Sequence, residues 1–94
     1  MKDPKYSPWG KVQYVKSFSE GVVLVSTASH GGMKLDRACN AKVPASARRK
    51  GGWYEEDCEV AIPILTFPEL FPKDQEAAQE TIDRWFPEFK DLWR

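Results

Sequence analysis

The stretch "GVVLVSTASHGGMKL", Gly21 to Leu35, decides how this chain folds. Val22 to Val25 is a short β-branched and apolar run, the composition of a buried strand. "HGG" then reads as a turn, with glycines serving its geometry, and "MKLD" as another short strand. Upstream, "WGKVQYVKSF" alternates Val12 and Tyr14 with Lys11 and Gln13, the period of a half-exposed strand. Glu20-Gly21 joins the two runs, because Gly takes positive φ without steric cost. Three strands on two tight turns predict an antiparallel β-meander over about residues 10–36.

Downstream the pattern turns helical. Pro44 is placed to open one or two helical turns through Arg49, closed by Gly51-Gly52. Val60, Ala61, Ile64 and Leu65 recur at helical spacing, with Glu55, Glu56 and Asp57 at the dipole-favoured N-terminal end. Pro63 interrupts that pattern, so a kinked helix is expected over 57–66, with an edge strand as the alternative. Asp74 is the expected N-cap of "QEAAQETIDRWF", with Ala78, Ile82, Trp85 and Phe86 on one face. Pro87 ends that helix, and "PEFKDLWR" predicts a last short one. The expected fold class is α+β, a short meander followed by two to three helices packed on one face. Residues 1–8 read as a flexible arm and 9–94 as one domain.

The chain has 94 residues, with fourteen Lys and Arg balancing fourteen Asp and Glu. That neutrality disfavours nucleic acid and anionic membranes as partners. Val22 to Val25 is far too short to span a bilayer, and "MKDPKYSPWG" lacks the apolar core of an export signal. A cytoplasmic location is expected, with Cys39 and Cys58 as free thiols. One His and two Cys make no four-ligand zinc set, so neither metal nor cofactor is expected.

Three features carry candidate chemistry. Ser29-His30-Gly31-Gly32 holds the single histidine, a side chain that shuttles protons near neutral pH, in what is equally a plain hairpin turn. "GGWYEEDC" offers Glu55, Glu56 and Asp57, any of which orients an imidazole if folded beside it, or simply begins a helix. Cys58 is disfavoured as a nucleophile because neighbouring carboxylates oppose its thiolate. Lys42 and "RRK", Arg48 to Lys50, form a basic stretch that docks a phosphate or an acidic surface, or is a solvated face. Catalytic candidates are therefore His30, Glu55, Glu56 and Asp57. Binding candidates are Ser29, His30, Gly31, Gly32, Asn40, Arg48, Arg49, Trp53 and Tyr54. Trp85 and Trp93 are expected in the core; Trp9 and Trp53, also safest as core, lie beside glycines where they can anchor a partner.

The words "PWG", "VSTASHGG", Asn40, "VP" and "YEEDC", spread over Pro8 to Trp93, resemble a small uncharacterised domain family of bacteriophage, prophage and plasmid proteins. The resemblance implies a mobile-element accessory protein acting in the host cytoplasm. Its expected role is non-enzymatic: binding a host or defence-system protein, as a counter-defence inhibitor of the anti-CRISPR or anti-restriction kind. The alternatives are a small enzyme or ligand binder using His30 with the carboxylates, and a structural or regulatory homodimer. The expectation that joins these residues is spatial: the His30 turn meets the segment Tyr54–Asp57.

Overall fold

In a computed structural model of residues 1–94, the chain runs through β1 (Tyr6–Ser7), β2 (Gly10–Lys11), β3 (Tyr14–Ser19), β4 (Val22–Ser26) and β5 (Gly31–Leu35). It continues through α1 (Arg37–Asn40), β6 (Trp53–Glu55), α2 (Ala61–Thr66) and α3 (Gln75–Trp85). The class is α+β. The main sheet is antiparallel in the order β3-β4-β5-β6, so the meander carries one strand more than its pattern predicts. A separate hairpin pairs β1 with β2, which takes Tyr6 and Ser7 out of the expected arm. No helix is long and apolar enough to cross a membrane.

Register follows the apolar alternation. Val22 lies opposite Leu35, and Leu24 opposite Met33, on the inner face; Met33 in turn faces Tyr54 of β6. These residues join Val43, Ala47, Ile62, Leu65, Phe67, Phe71, Ala78 and Ile82 in one apolar cluster beneath α2 and α3. A register shift between Ser17 and Ser19 re-aims β3, and Phe18 meets Phe71 edge-on at 4.8 Å. The opposite face has a smaller apolar patch. Val25 is 0% exposed yet lies outside the main cluster, paired with Gly32. Trp9, carried by the β1–β2 hairpin, reaches over this face and meets Trp53 edge-to-face at 5.6 Å.

The two glycines after His30 are strand residues, paired with Val25 and Ser26, and neither has positive φ. Their reason is space, not turn geometry. A Cβ on Gly31 would stand 2.6 Å from Val25 O; one on Gly32 would collide with Tyr54 O and stand 2.5 Å from Trp9 Cη2. Gly21 is the true turn glycine, at φ +86° between β3 and β4, as its position predicts.

Several expectations are corrected. Pro44 to Arg49 forms isolated turns, Ala47 N–H bonding Pro44 O and Arg48 N–H bonding Ala45 O, rather than a helix. The helix instead comes earlier, where Asp36 accepts from Cys39 N–H at 2.8 Å and caps α1. "WYE" pairs with β5, so the carboxylates Glu55 to Asp57 do not begin a helix. Pro63 sits in the first turn of α2, where its missing N–H removes no intrahelical bond, so no kink is needed. Asp74 makes no side-chain cap; its carbonyl accepts from Ala78 N–H, and the Gln75 amide ties α3 to Ile64 O and Phe71 O. The last segment is a single 3₁₀ turn at Pro87–Phe89 followed by turns. Trp85 is 58% exposed under the Arg84 guanidinium, not core, because the helical face ends with Ile82 and Phe86. Trp93 does pack against the core, its indole N–H bonding Thr66 Oγ1 at 3.1 Å.

Replacing Gly32 by Ala forces a methyl against a strand carbonyl and an indole at once. The expected cost is about 1–3 kcal/mol of stability, from overpacking, read as a lowered urea midpoint with an unchanged slope.

Candidate functional site

The His30 turn is built by its neighbour Thr27. Thr27 Oγ1 donates to His30 O at 2.6 Å and accepts from His30 N–H at 3.1 Å and Ser29 N–H at 3.3 Å. Thr27 N–H also bonds His30 O, closing the loop between β4 and β5. Because β6 pairs with β5, Glu55 sits opposite Gly32 and beside this turn. His30 Nδ1 lies 4.0 Å from Glu55 Oε1, with the two side chains 55% and 45% exposed. The expected meeting of the His30 turn with the acidic segment therefore occurs, through Glu55. Glu56 N–H bonds Gly31 O at 2.9 Å, which docks the second carboxylate residue on the same strand end. At this separation and exposure the pair is worth little in stability.

Of the neighbouring carboxylates, that of Glu59 is engaged locally. Glu59 accepts from Glu55 N–H at 3.0 Å and from Arg49 Nε at 3.2 Å. Asp57 takes the left-handed backbone at φ +80°, which Asp tolerates better than most residues and which bends the chain toward α2. Glu55 to Glu59 thus line a shallow acidic hollow of about 250 Å³, on a wall that does not include His30.

A larger cleft, about 420 Å³, opens elsewhere, between the end of β5, α1 and the loop that follows it. Lys34, Leu35, Arg37, Asn40, Ala41, Arg48 and Gly51 line it. Three of these are cationic and none is acidic, in a chain whose formal charges cancel. The loop is pinned by a partly buried network. Tyr54, 0% exposed on β6, donates its hydroxyl proton to Asn40 Oδ1 at 2.6 Å and accepts from Arg49 N–H at 3.1 Å. Asn40 Nδ2 then donates to Arg49 O at 3.0 Å, which closes the ring. Burial raises the Tyr54 phenol above its ordinary value, so it stays a protonated donor across the neutral range.

Each basic residue of the cleft is held differently. Arg48 Nε donates to Val43 O at 3.2 Å, and Nη2 to Val43 O at 2.8 Å and Ala41 O at 3.0 Å. The guanidinium plane is therefore set, with Nη1 still available. Lys34 lies over the Trp53 ring at 4.9 Å and donates from Nζ to Gly51 O. Its partial burial lowers its pKa from the ordinary lysine value, against the weaker pull of Asp36. Arg37 is exposed and makes no ion pair within 4.0 Å. Asp36, whose carboxyl is held below the usual range by the Cys39 backbone N–H, anchors α1 and with it Arg37 and Asn40.

The structure sorts the sequence candidates. Ser29, His30 and Glu55 share one turn region, with Gly31 and Gly32 as its strand support. Asn40 and Arg48 belong to the cleft. Arg49 is turned away to Glu59 and stacks its guanidinium over Phe86 at 5.6 Å. Tyr54 is internal scaffolding, and Trp53 forms the floor under Lys34. Lys34 and Arg37 escaped the sequence reading, although Lys34 is the one charge in an otherwise apolar strand and Arg37 follows a capping aspartate. Neither signal points to the other until β5 and α1 are placed.

Tyr54→Phe leaves Asn40 Oδ1 and Arg49 N–H without their partner. The expected loss is about 1–3 kcal/mol, measured by denaturant unfolding, with fast amide exchange at Arg49 as the local signature.

Among known proteins, neither a curated protein nor a solved structure matches this chain. A family model does, along residues 2–93, and it bears out the resemblance to an uncharacterised domain family. The chain belongs to the family described as Domain of unknown function (DUF7007).

Proposed function

We propose that the chain is a non-enzymatic binding protein whose basic cleft receives an anionic group of a partner protein. The observation that carries this is the lining itself: Lys34, Arg37 and Arg48 converge with no carboxylate among them, while the chain as a whole is neutral. Cations segregated in this way steer and orient an acidic partner more than they stabilise the fold. Arg48 adds preorganisation, since its carbonyl bonds already hold the side chain in one place. A host or defence-system protein is the partner class to seek first, on the resemblance to mobile-element accessory domains.

The approach of His30 to Glu55 at 4.0 Å favours a second reading, a ligand or acid–base site at the β4–β5 turn. One experiment separates the two. Tagged wild-type chain, Arg37→Glu and His30→Ala are used for affinity capture from host lysate, with circular dichroism confirming that each is folded. The cleft reading predicts a stoichiometric partner that is lost with Arg37→Glu and retained with His30→Ala. The opposite pattern favours the turn site, and recovery of no stoichiometric partner, or equal recovery by all three, overturns the cleft reading.

A further inference from the structure

We infer that the anionic group seated in the cleft is a phosphoryl dianion, a phosphomonoester rather than a carboxylate. This rests on the reading of the cleft as the docking site and names what it takes. Arg49, next in sequence to Arg48, is answered by Glu59, and Arg94 by Asp83 and Asp91. Lys34, Arg37 and Arg48 have no carboxylate within 4.0 Å, Asp36 reaches Lys34 only at longer range, and all three cations line one cleft. A carboxylate brings one negative charge, whereas a phosphomonoester brings about 1.5 to 2 at neutral pH, with three acceptor oxygens.

Donor geometry points the same way. Arg48 has spent Nε and Nη2 on the carbonyls of Ala41 and Val43, which leaves the two N–H groups of Nη1. Lys34 has spent one of its three protons on Gly51 O, which leaves two. Arg37, exposed and also lining the cleft, has its whole fork unpaired. Two side chains already held by carbonyls and one free guanidinium suit a tetrahedral group with several oxygens. A planar carboxylate is satisfied by a single Arg fork and would leave the rest unused. Burial disfavours the charge on Lys34, and a dianion beside it favours that charge.

About 420 Å³ falls in the lower part of the range of small-ligand sites, enough for a phosphoryl group and the residue that carries it. A nucleic-acid strand instead needs a basic stripe that follows its backbone, and a neutral chain with one local cluster lacks that footprint.

The test is calorimetric titration of the intact chain with four probes: inorganic phosphate, a phosphoserine peptide, the same peptide with Glu at that position, and adenosine monophosphate. The phosphoserine peptide is expected to bind at least about tenfold tighter than its Glu counterpart, a difference of one decade in Kd. Affinity should rise between about pH 5 and pH 7, as the second phosphate proton leaves near about pH 6. Arg37→Glu, at an exposed position with no partner to lose, should abolish phosphate binding without unfolding the chain. Equal or tighter binding of the Glu peptide overturns the phosphoryl inference and leaves the docking cleft standing. Binding of adenosine monophosphate without the phosphopeptide keeps the phosphoryl site and removes the protein partner. Silence from all four probes, or phosphate binding unchanged in Arg37→Glu, overturns both.

Discussion

The hydrogen bond from the buried Tyr54 hydroxyl to Asn40 Oδ1, at 2.6 Å, is the contact on which the basic cleft depends. It joins the inner face of β6 to the last residue of α1, and through Arg49 it fixes the far end of the intervening loop. A phenol taken wholly out of water needs such a partner, and so do the amide and the backbone groups that answer it. The loop between them makes few regular backbone bonds of its own, only isolated turns. Arg48 then holds the loop from the other side by clasping the carbonyls of Ala41 and Val43. The cleft has its shape because both ends of one irregular segment are tied to regular structure.

The sheet imposes a second constraint, close approach at Gly32. With Val25, Tyr54 and Trp9 all converging there, only hydrogen fits in place of a side chain. This permits β6 to add to the meander and lets the N-terminal hairpin cover the outer face. Both glycines after His30 are therefore explained by packing, and neither is needed to bring a ligand to the backbone.

Much of the fold was legible because it rests on alternation and on side-chain volume. Val22 to Val25, Met33 and Leu35 announce two strands, Gly21 announces the turn before them, and Ala78 and Ile82 announce the buried side of α3. What escaped reading depends on tertiary partners. "WYE" becomes a strand only because β5 offers a free edge, and "EED" next to it looks like a helix start in isolation. Pro63 reads as a helix breaker until the start of α2 is known to lie two residues before it. Of the candidate residues, the meeting of His30 with Glu55 was foreseeable from one lone imidazole and a run of carboxylates. The basic cleft was only half visible. Arg48 stood out in a charged run, but Lys34 and Arg37 are separated from it along the chain and join it only across β5 and α1. The same run also supplied Arg49, whose charge the fold spends on Glu59.

We propose one anion-receiving surface, formed by residues from β5, α1 and the following loop. Amide and guanidinium chemical-shift mapping of the isotope-labelled chain, titrated with phosphate, tests it most directly. Shifts are expected to cluster at Lys34, Arg37, Asn40, Ala41, Arg48 and Gly51, with His30 and Glu55 unmoved. Shifts confined to the β4–β5 turn, or scattered evenly over exposed Lys and Arg, would contradict it.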